Sequence, residues 1–117
     1  MSYLIVNGGK KLHGSIENQS AKNSAVAILC ACAMIKGKTT LVDMPEIEEV
    51  KRIIELLQSI GVKIKWLSKG KLEVDASLDL HIDKIDRNAS EKTRASIFLW
   101  GALAARSREY KLPKSGG

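Results

Sequence analysis

The pattern of apolar and polar positions changes period several times along the chain, and each change predicts an element. Residues 3–6 form a short β-prone run, and Asn7-Gly8-Gly9 after it is a turn signal. Residues 11–16 predict a second strand, broken at Gly14. From 21 to 35 the apolar residues, among them Ala25, Val26, Ile28, Leu29, Ala31 and Ala33, fall on nearly every face. That predicts a helix buried on most sides, with Ser20 as its N-cap and Gly37 as its stop. Residues 39–42 predict a short β-branched strand. Pro45 then opens a second helix, with Glu46, Glu48 and Glu49 in the first turn, where acidic groups complement the helix dipole. Val50, Ile53, Ile54, Leu57 and Ile60 fall on one face of it, and Gly61 ends it. Residues 62–66 and 71–74 alternate apolar and polar around Ser68-Lys69-Gly70, which predicts a hairpin. Residues 78–82 alternate as well and predict another strand. Residues 90–105 predict a third helix, with Ala95, Ile97, Phe98, Leu99, Leu103 and Ala104 as its apolar set. Arg106 and Arg108 at its end would favour the helix dipole. A further strand is expected to begin at 110–112.

The predicted order is β-β-α-β-α-β-β, followed by a new α-β. Two helices, short strands and a hairpin make a compact α/β unit, and the third helix has the character of a second copy. A repeat cut part-way leaves apolar faces without partners. Such faces would be available for self-association. Gly116-Gly117 directly after a strand reads as a turn into further structure.

Composition narrows the class. Of 117 residues, 44% are apolar, which fits a globular chain with a core. Aromatics make up 4%, so Ile, Leu, Val and Ala must build that core. No apolar run approaches a membrane span, and the first residues lack the pattern of a signal peptide. The expectation is a cytoplasmic protein without a membrane partner. The net charge of +6 favours anionic partners. Lys and Arg are spread along the chain without interleaved aromatics, so no nucleic-acid module is expected. Cys30 and Cys32 lack the spacing of a redox or zinc motif and read as buried apolar residues. His13 and His81 are isolated, which gives no metal site.

The strongest chemical signal is the stretch 14–25, Gly-Ser-Ile-Glu-Asn-Gln-Ser-Ala-Lys-Asn-Ser-Ala. It delivers Lys22 and Asn23 to the first turn of the buried helix, where free backbone N–H groups favour anions. Lys22 adds a point charge, and Asn23 offers a donor and an acceptor. On chemistry alone, a solvated lysine beside an Asn cap explains the same residues.

Ala21-Lys22-Asn23-Ser24-Ala25 is followed by Gly37-Lys38-Thr39-Thr40-Leu41, then Pro45, Ile47 and Val50, then Leu56-Leu57 and Gly61-Val62. In this order and spacing the chain resembles the enolpyruvyl transferase family. Lys-Asn at 22–23 is similar to the branch that uses UDP-N-acetylglucosamine, whereas the shikimate-pathway branch typically carries Lys-Ser. Thr93-Arg94-Ala95-Ser96-Ile97 resembles that branch's Arg-Ala-Ser segment, and Leu112-Pro113 with Gly116-Gly117 resembles the start of its catalytic loop. The resemblance runs from about residue 9 to the last residue.

The resemblance implies transfer of the enolpyruvyl group of phosphoenolpyruvate to the 3-hydroxyl of UDP-N-acetylglucosamine. It implies no redox cofactor and no obligatory metal. Lys22 matches the lysine that contacts phosphoenolpyruvate and the reaction intermediate, which makes it the catalytic candidate. Asn23 matches the asparagine that hydrogen-bonds the sugar substrate or intermediate. Arg94 matches an arginine near the phosphate and nucleotide site; without the resemblance it reads as a solvated helix arginine. Phe98 stands where some relatives have Trp, and plain core is the simpler reading for it and for Trp100. The fold implied is an inside-out α/β barrel of repeated βαβαββ units in two lobes. This chain would cover about one and a half units of the N-terminal lobe. Residues 1–20 would hold strands that belong to, or cross from, the C-terminal lobe. Residues 21–117 would be a partial catalytic lobe that stops before the loop's cysteine or aspartate. The loop spacing Leu-Pro-Lys-Ser-Gly-Gly is longer than the commoner Leu-Pro-Gly-Gly. The expectation is therefore an enzyme by family whose present residues are inactive alone. The alternative is a non-catalytic module that binds sugar nucleotides or anions.

Overall fold

The protein is described from a computed structural model, which covers residues 2–18, 21–94, 96–109, 111, 113 and 116. Helix α1 (Lys22–Ala31) runs into a short 3-10 turn (Cys32–Met34) and then strand β1 (Lys38–Leu41). Helix α2 (Glu48–Ser59) leads into the hairpin β2 (Lys63–Ser68) and β3 (Lys71–Asp75). A second 3-10 turn (Ile82–Lys84) precedes helices α3 (Arg87–Glu91) and α4 (Ser96–Ala104).

The three strands form an antiparallel sheet in the order β1-β3-β2. Period-2 alternation decides its two faces. Thr39, Val74 and Ile64 make one cross-strand row, and Leu41, Leu72 and Trp66 the next. Leu72 and Val74 on the central strand are fully buried, while the flanking residues of these rows are half-buried. The opposite face carries Lys38, Lys63, Lys65, Glu73 and Asp75, with Lys65 and Glu73 paired at 3.7 Å. The hairpin turns at Gly70, whose φ of +74° is a conformation that costs glycine little.

Helix α2 packs its Val50, Ile53, Leu56 and Leu57 stripe into the core. Each such fully buried side chain contributes about 1.5–3 kcal/mol. It ends in a Schellman arrangement: the Gly61 N–H donates to Gln58 O and the Val62 N–H to Leu57 O, with Gly61 at φ +103°. Helix α1 lies against α2 and α4 and buries Ala25, Val26, Leu29 and Cys30. Cys30 and Cys32 are free and buried, and Trp100 packs half-buried against the core, as their sequence context predicts.

Several expectations are corrected. Residues 3–6 and 11–16 form no strand: no strand edge pairs with them, and Tyr3, Leu4, Ile5 and Val6 stand exposed. Residues 78–82 are irregular until the 3-10 turn at Ile82, and the Leu78 carbonyl oxygen accepts from the Arg106 guanidinium and not from a strand. The helix predicted over 90–105 is two helices. Helix α1 is shorter than predicted and not buried all round: α2 and α4 pack on its other side, while Ile28 is 51% exposed, and Ala31, Met34 and Ile35 are exposed too. Its N-cap position is Ala21, and Ser20 lies outside the described residues. The strand expected over 110–112 falls on positions of which only residue 111 is described. The sheet and helices establish a mixed α/β fold. Among the described residues, no helix is long and apolar enough to cross a membrane, and no group of three or more His, Cys, Asp or Glu could hold a metal ion.

Candidate functional site

The site is built around the first turn of α1. Ala21 is extended (φ −76°, ψ 136°) and has no capping side chain, so the turn's N–H groups, which have no partner within the helix, face the segment ahead of it. Lys22 and Asn23 are the first two helical residues, and both are exposed. Asn23 is inside the helix and therefore not its cap.

Arg94 comes from the break between α3 and α4. Asp86 starts α3 by accepting the Ala89 N–H at 3.1 Å, and the helix ends at Lys92. The break is then held from three sides. Arg52 of α2 donates to Lys92 O at 2.5 Å, and the Thr93 hydroxyl donates to Glu49 Oε2 of α2 at 2.5 Å. The Gly116 N–H lies 3.1 Å from both Ser90 O and Thr93 O. Ser96 Oγ closes the start of α4 by donating to Thr93 O at 3.1 Å. Thr93 is 2% exposed, whereas Arg94 beside it is exposed. A Cβ at Gly116 would stand 2.7 Å from Thr93 N and closer still to Glu91 O, so only glycine fits there without displacing backbone.

These elements enclose a cleft of about 510 Å³, within the range of small-molecule sites. All three sequence-predicted residues, Lys22, Asn23 and Arg94, line it. Lys92, Thr93, Glu49, Glu91 and Gly116 line it too, with Val26, Ile97 and Phe98 as its apolar wall. Phe98 is thus not core: it is 53% exposed and faces this cleft. Three cationic side chains against two acidic ones suit an anion with polar substituents. The guanidinium fork matches phosphoryl or carboxylate oxygens, and the ammonium supplies a point charge.

Glu49 was legible only as a helix-dipole residue, since its partner Thr93 lies 44 positions away. Arg106 was expected to act on the end of α4. Its guanidinium instead binds carbonyl oxygens of other segments: Ala33 at 2.9 Å, and Ala76 and Leu78 at 3.1 Å each. A wider, open hollow of about 1120 Å³ beside residues 104–111 holds none of the three predicted site residues.

The sequence is similar to known proteins. The sequence pattern of EPSP synthase (3-phosphoshikimate 1-carboxyvinyltransferase) matches residues 6–113. The UDP-N-acetylglucosamine 1-carboxyvinyltransferase of Clostridium botulinum is 40% identical over 120 residues, covering 100% of this chain and 28% of that protein. That of Bradyrhizobium diazoefficiens is 36% identical over 113 residues, 97% of this chain and 26% of that protein. UDP-N-acetylglucosamine 1-carboxyvinyltransferase 2 of Caldanaerobacter subterraneus subsp. tengcongensis is 37% identical over 117 residues, 100% of this chain and 28% of that protein. The chain thus spans 26% to 28% of the length of these curated relatives. With the family pattern running through α1, the sheet, the helix break and α4, the chain belongs to the EPSP synthase family of enolpyruvyl transferases.

Proposed function

We propose that this chain supplies one wall of the active site of a UDP-N-acetylglucosamine 1-carboxyvinyltransferase. Such an enzyme moves the enolpyruvyl group of phosphoenolpyruvate onto the 3-hydroxyl of UDP-N-acetylglucosamine with release of phosphate, the first committed step toward peptidoglycan. The observation that carries the reading is the convergence of Lys22, Asn23 and Arg94, 72 positions apart at the extremes (94 less 22), on one cleft. The names of the relatives support the choice of sugar nucleotide.

Addition to phosphoenolpyruvate gives a tetrahedral intermediate, which eliminates phosphate. Negative charge on carboxylate and phosphate persists throughout, so groups fixed in advance around it lower the barrier. The Lys22 ammonium would offset that charge. Asn23 would hydrogen-bond the sugar or the intermediate, and the Arg94 fork would hold phosphoryl oxygens. Residues 21–117 would form part of the substrate-binding lobe. Residues 1–20 would join the other lobe, a reading supported by the exposed Tyr3, Leu4, Ile5 and Val6.

Titration calorimetry with UDP-N-acetylglucosamine tests this, after circular dichroism establishes that the chain and its variants fold. Lys22→Ala and Arg94→Ala should each weaken binding about tenfold, the loss of a charge-assisted contact. Binding without turnover on adding phosphoenolpyruvate is the outcome expected of a sugar-nucleotide-binding module. A well-folded chain that binds no UDP-N-acetylglucosamine refutes a preformed site in this cleft.

A further inference from the structure

The residue with the least explained position is Glu49. In the first turn of α2 a carboxylate favours the helix dipole, and an exposed side chain would suffice for that. Glu49 is instead half-buried, and its Oε2 accepts the Thr93 hydroxyl at 2.5 Å, a short charge-assisted bond. It lines the cleft with Lys22 and Arg94. Three residues on, Arg52 of the same helix holds the Lys92 carbonyl. Helix α2 thereby grips two consecutive residues, Lys92 and Thr93, immediately before Arg94. It also packs against α1, which carries Lys22 and Asn23. One rigid element therefore sets the relation between the two cationic halves of the cleft.

We propose that Glu49 is a positioning residue for anion recognition, holding Arg94 in the cleft with Lys22 through the Thr93 hydroxyl. The proposal rests on the reading of the cleft as an anion site. Glu49 brings a negative charge to a place that must bind anions, which by itself weakens binding. Its benefit lies in fixing the Thr93–Arg94 backbone before the ligand arrives, so that binding does not have to order it.

The two contributions separate by substitution. Glu49→Ala removes both the bond and the charge, Glu49→Gln keeps an acceptor and removes the charge, Thr93→Val removes the hydroxyl, and Thr93→Ser keeps it. The first readout needs no ligand: the 15N–1H resonances of the Arg94 side chain and of the 92–94 amides. These should move in Glu49→Ala and Thr93→Val and stay near wild type in Thr93→Ser. The second readout is affinity for inorganic phosphate and for UDP-N-acetylglucosamine. Glu49→Ala and Thr93→Val should each lose about threefold to tenfold, and the double variant should lose no more than the worse single. Glu49→Gln should bind at least as tightly as wild type. Unmoved Arg94 resonances in Glu49→Ala and Thr93→Val would falsify the proposal, as would Glu49→Ala binding anions as tightly as Glu49→Gln. If wild type binds neither ligand, the functional reading fails, and the ligand-free resonances still decide the role of Glu49. Thr93→Val carries the test if Glu49→Ala does not fold.

Discussion

Arg106 shows how one side chain can stand in for missing secondary structure. Its half-buried guanidinium satisfies carbonyl oxygens on two segments, Ala33 in the turn after α1 and Ala76 and Leu78 in the irregular stretch after β3. Replacing it with Ala removes all three bonds, two of them part-buried, and bonds from a charged donor are worth about 1.5–3 kcal/mol. Arg106→Ala should therefore lower stability by about 2–4 kcal/mol in urea unfolding. Arg106→Lys should recover less than half of that loss, because an ammonium cannot reproduce the planar fork. Cys30 supports a second prediction. Burial, reinforced by the neighbouring Cys32, pushes its thiol from 9.0 up to about 12. The unfolded chain thus releases this proton at lower pH than the native one. Its contribution is whole below pH 9 and is lost as the pH rises toward 12. The fall in stability across that window should be smaller in Cys30→Ala than in wild type, measured by unfolding at stepped pH. At this scale the sequence was informative where residues are neighbours in the chain: Lys22 and Asn23 share a helical turn. It was silent on Glu49 and Thr93, whose bond depends on how α2 meets the α3–α4 break.

Elements with a local cause were legible. The β2–β3 hairpin follows from strict alternation around a glycine turn, and α2 from one apolar stripe closed by Gly61. The break inside the stretch 90–105 has no such cause. That stretch contains no proline, and its one glycine, Gly101, lies inside α4, so its apolar periodicity reads as one helix. What interrupts it is tertiary: Glu49, Arg52 and Gly116 bond the groups at 90–93 that a continuous helix would use or bury. The short helix α3 left over depends heavily on its cap. Five residues cannot hold a helix by propagation alone, and Asp86 supplies the side-chain acceptor at Ala89 N. Asp86→Ala should cost about 1 kcal/mol, while Asp86→Asn, which keeps an acceptor, should cost only a few tenths. Amide hydrogen exchange over 87–91 would report it, with faster exchange in Asp86→Ala than in Asp86→Asn. Equal exchange rates in the two variants would show that α3 is held by packing and not by its cap.

Across the whole molecule, covered and uncovered surfaces divide unevenly. The sheet protects its outer edges with charge, Lys38 on β1 and Lys63 and Lys65 on β2, which discourages strand-to-strand pairing between copies. The second half of α1 instead turns apolar side chains outward. Ile28 and Ala31 on α1 and Ile35 just after the 3-10 turn are all exposed. Exposed apolar side chains close together in the chain offer a surface that another protein can cover. Isolated in solution, the chain has its own second copy as the available partner, and the overall charge of +6 opposes that contact only at long range, where salt screens it. Sedimentation equilibrium should thus show an average mass that rises with concentration, more steeply at high salt. Ile28→Glu combined with Ile35→Glu should return the chain to monomer without changing its circular dichroism. The sheet-edge substitution Lys65→Ala should leave the helix-mediated association in place. A mass that stays monomeric at every concentration and salt would mean that these side chains are too scattered to act as one surface, and a double variant that still associates would move the contact to another face.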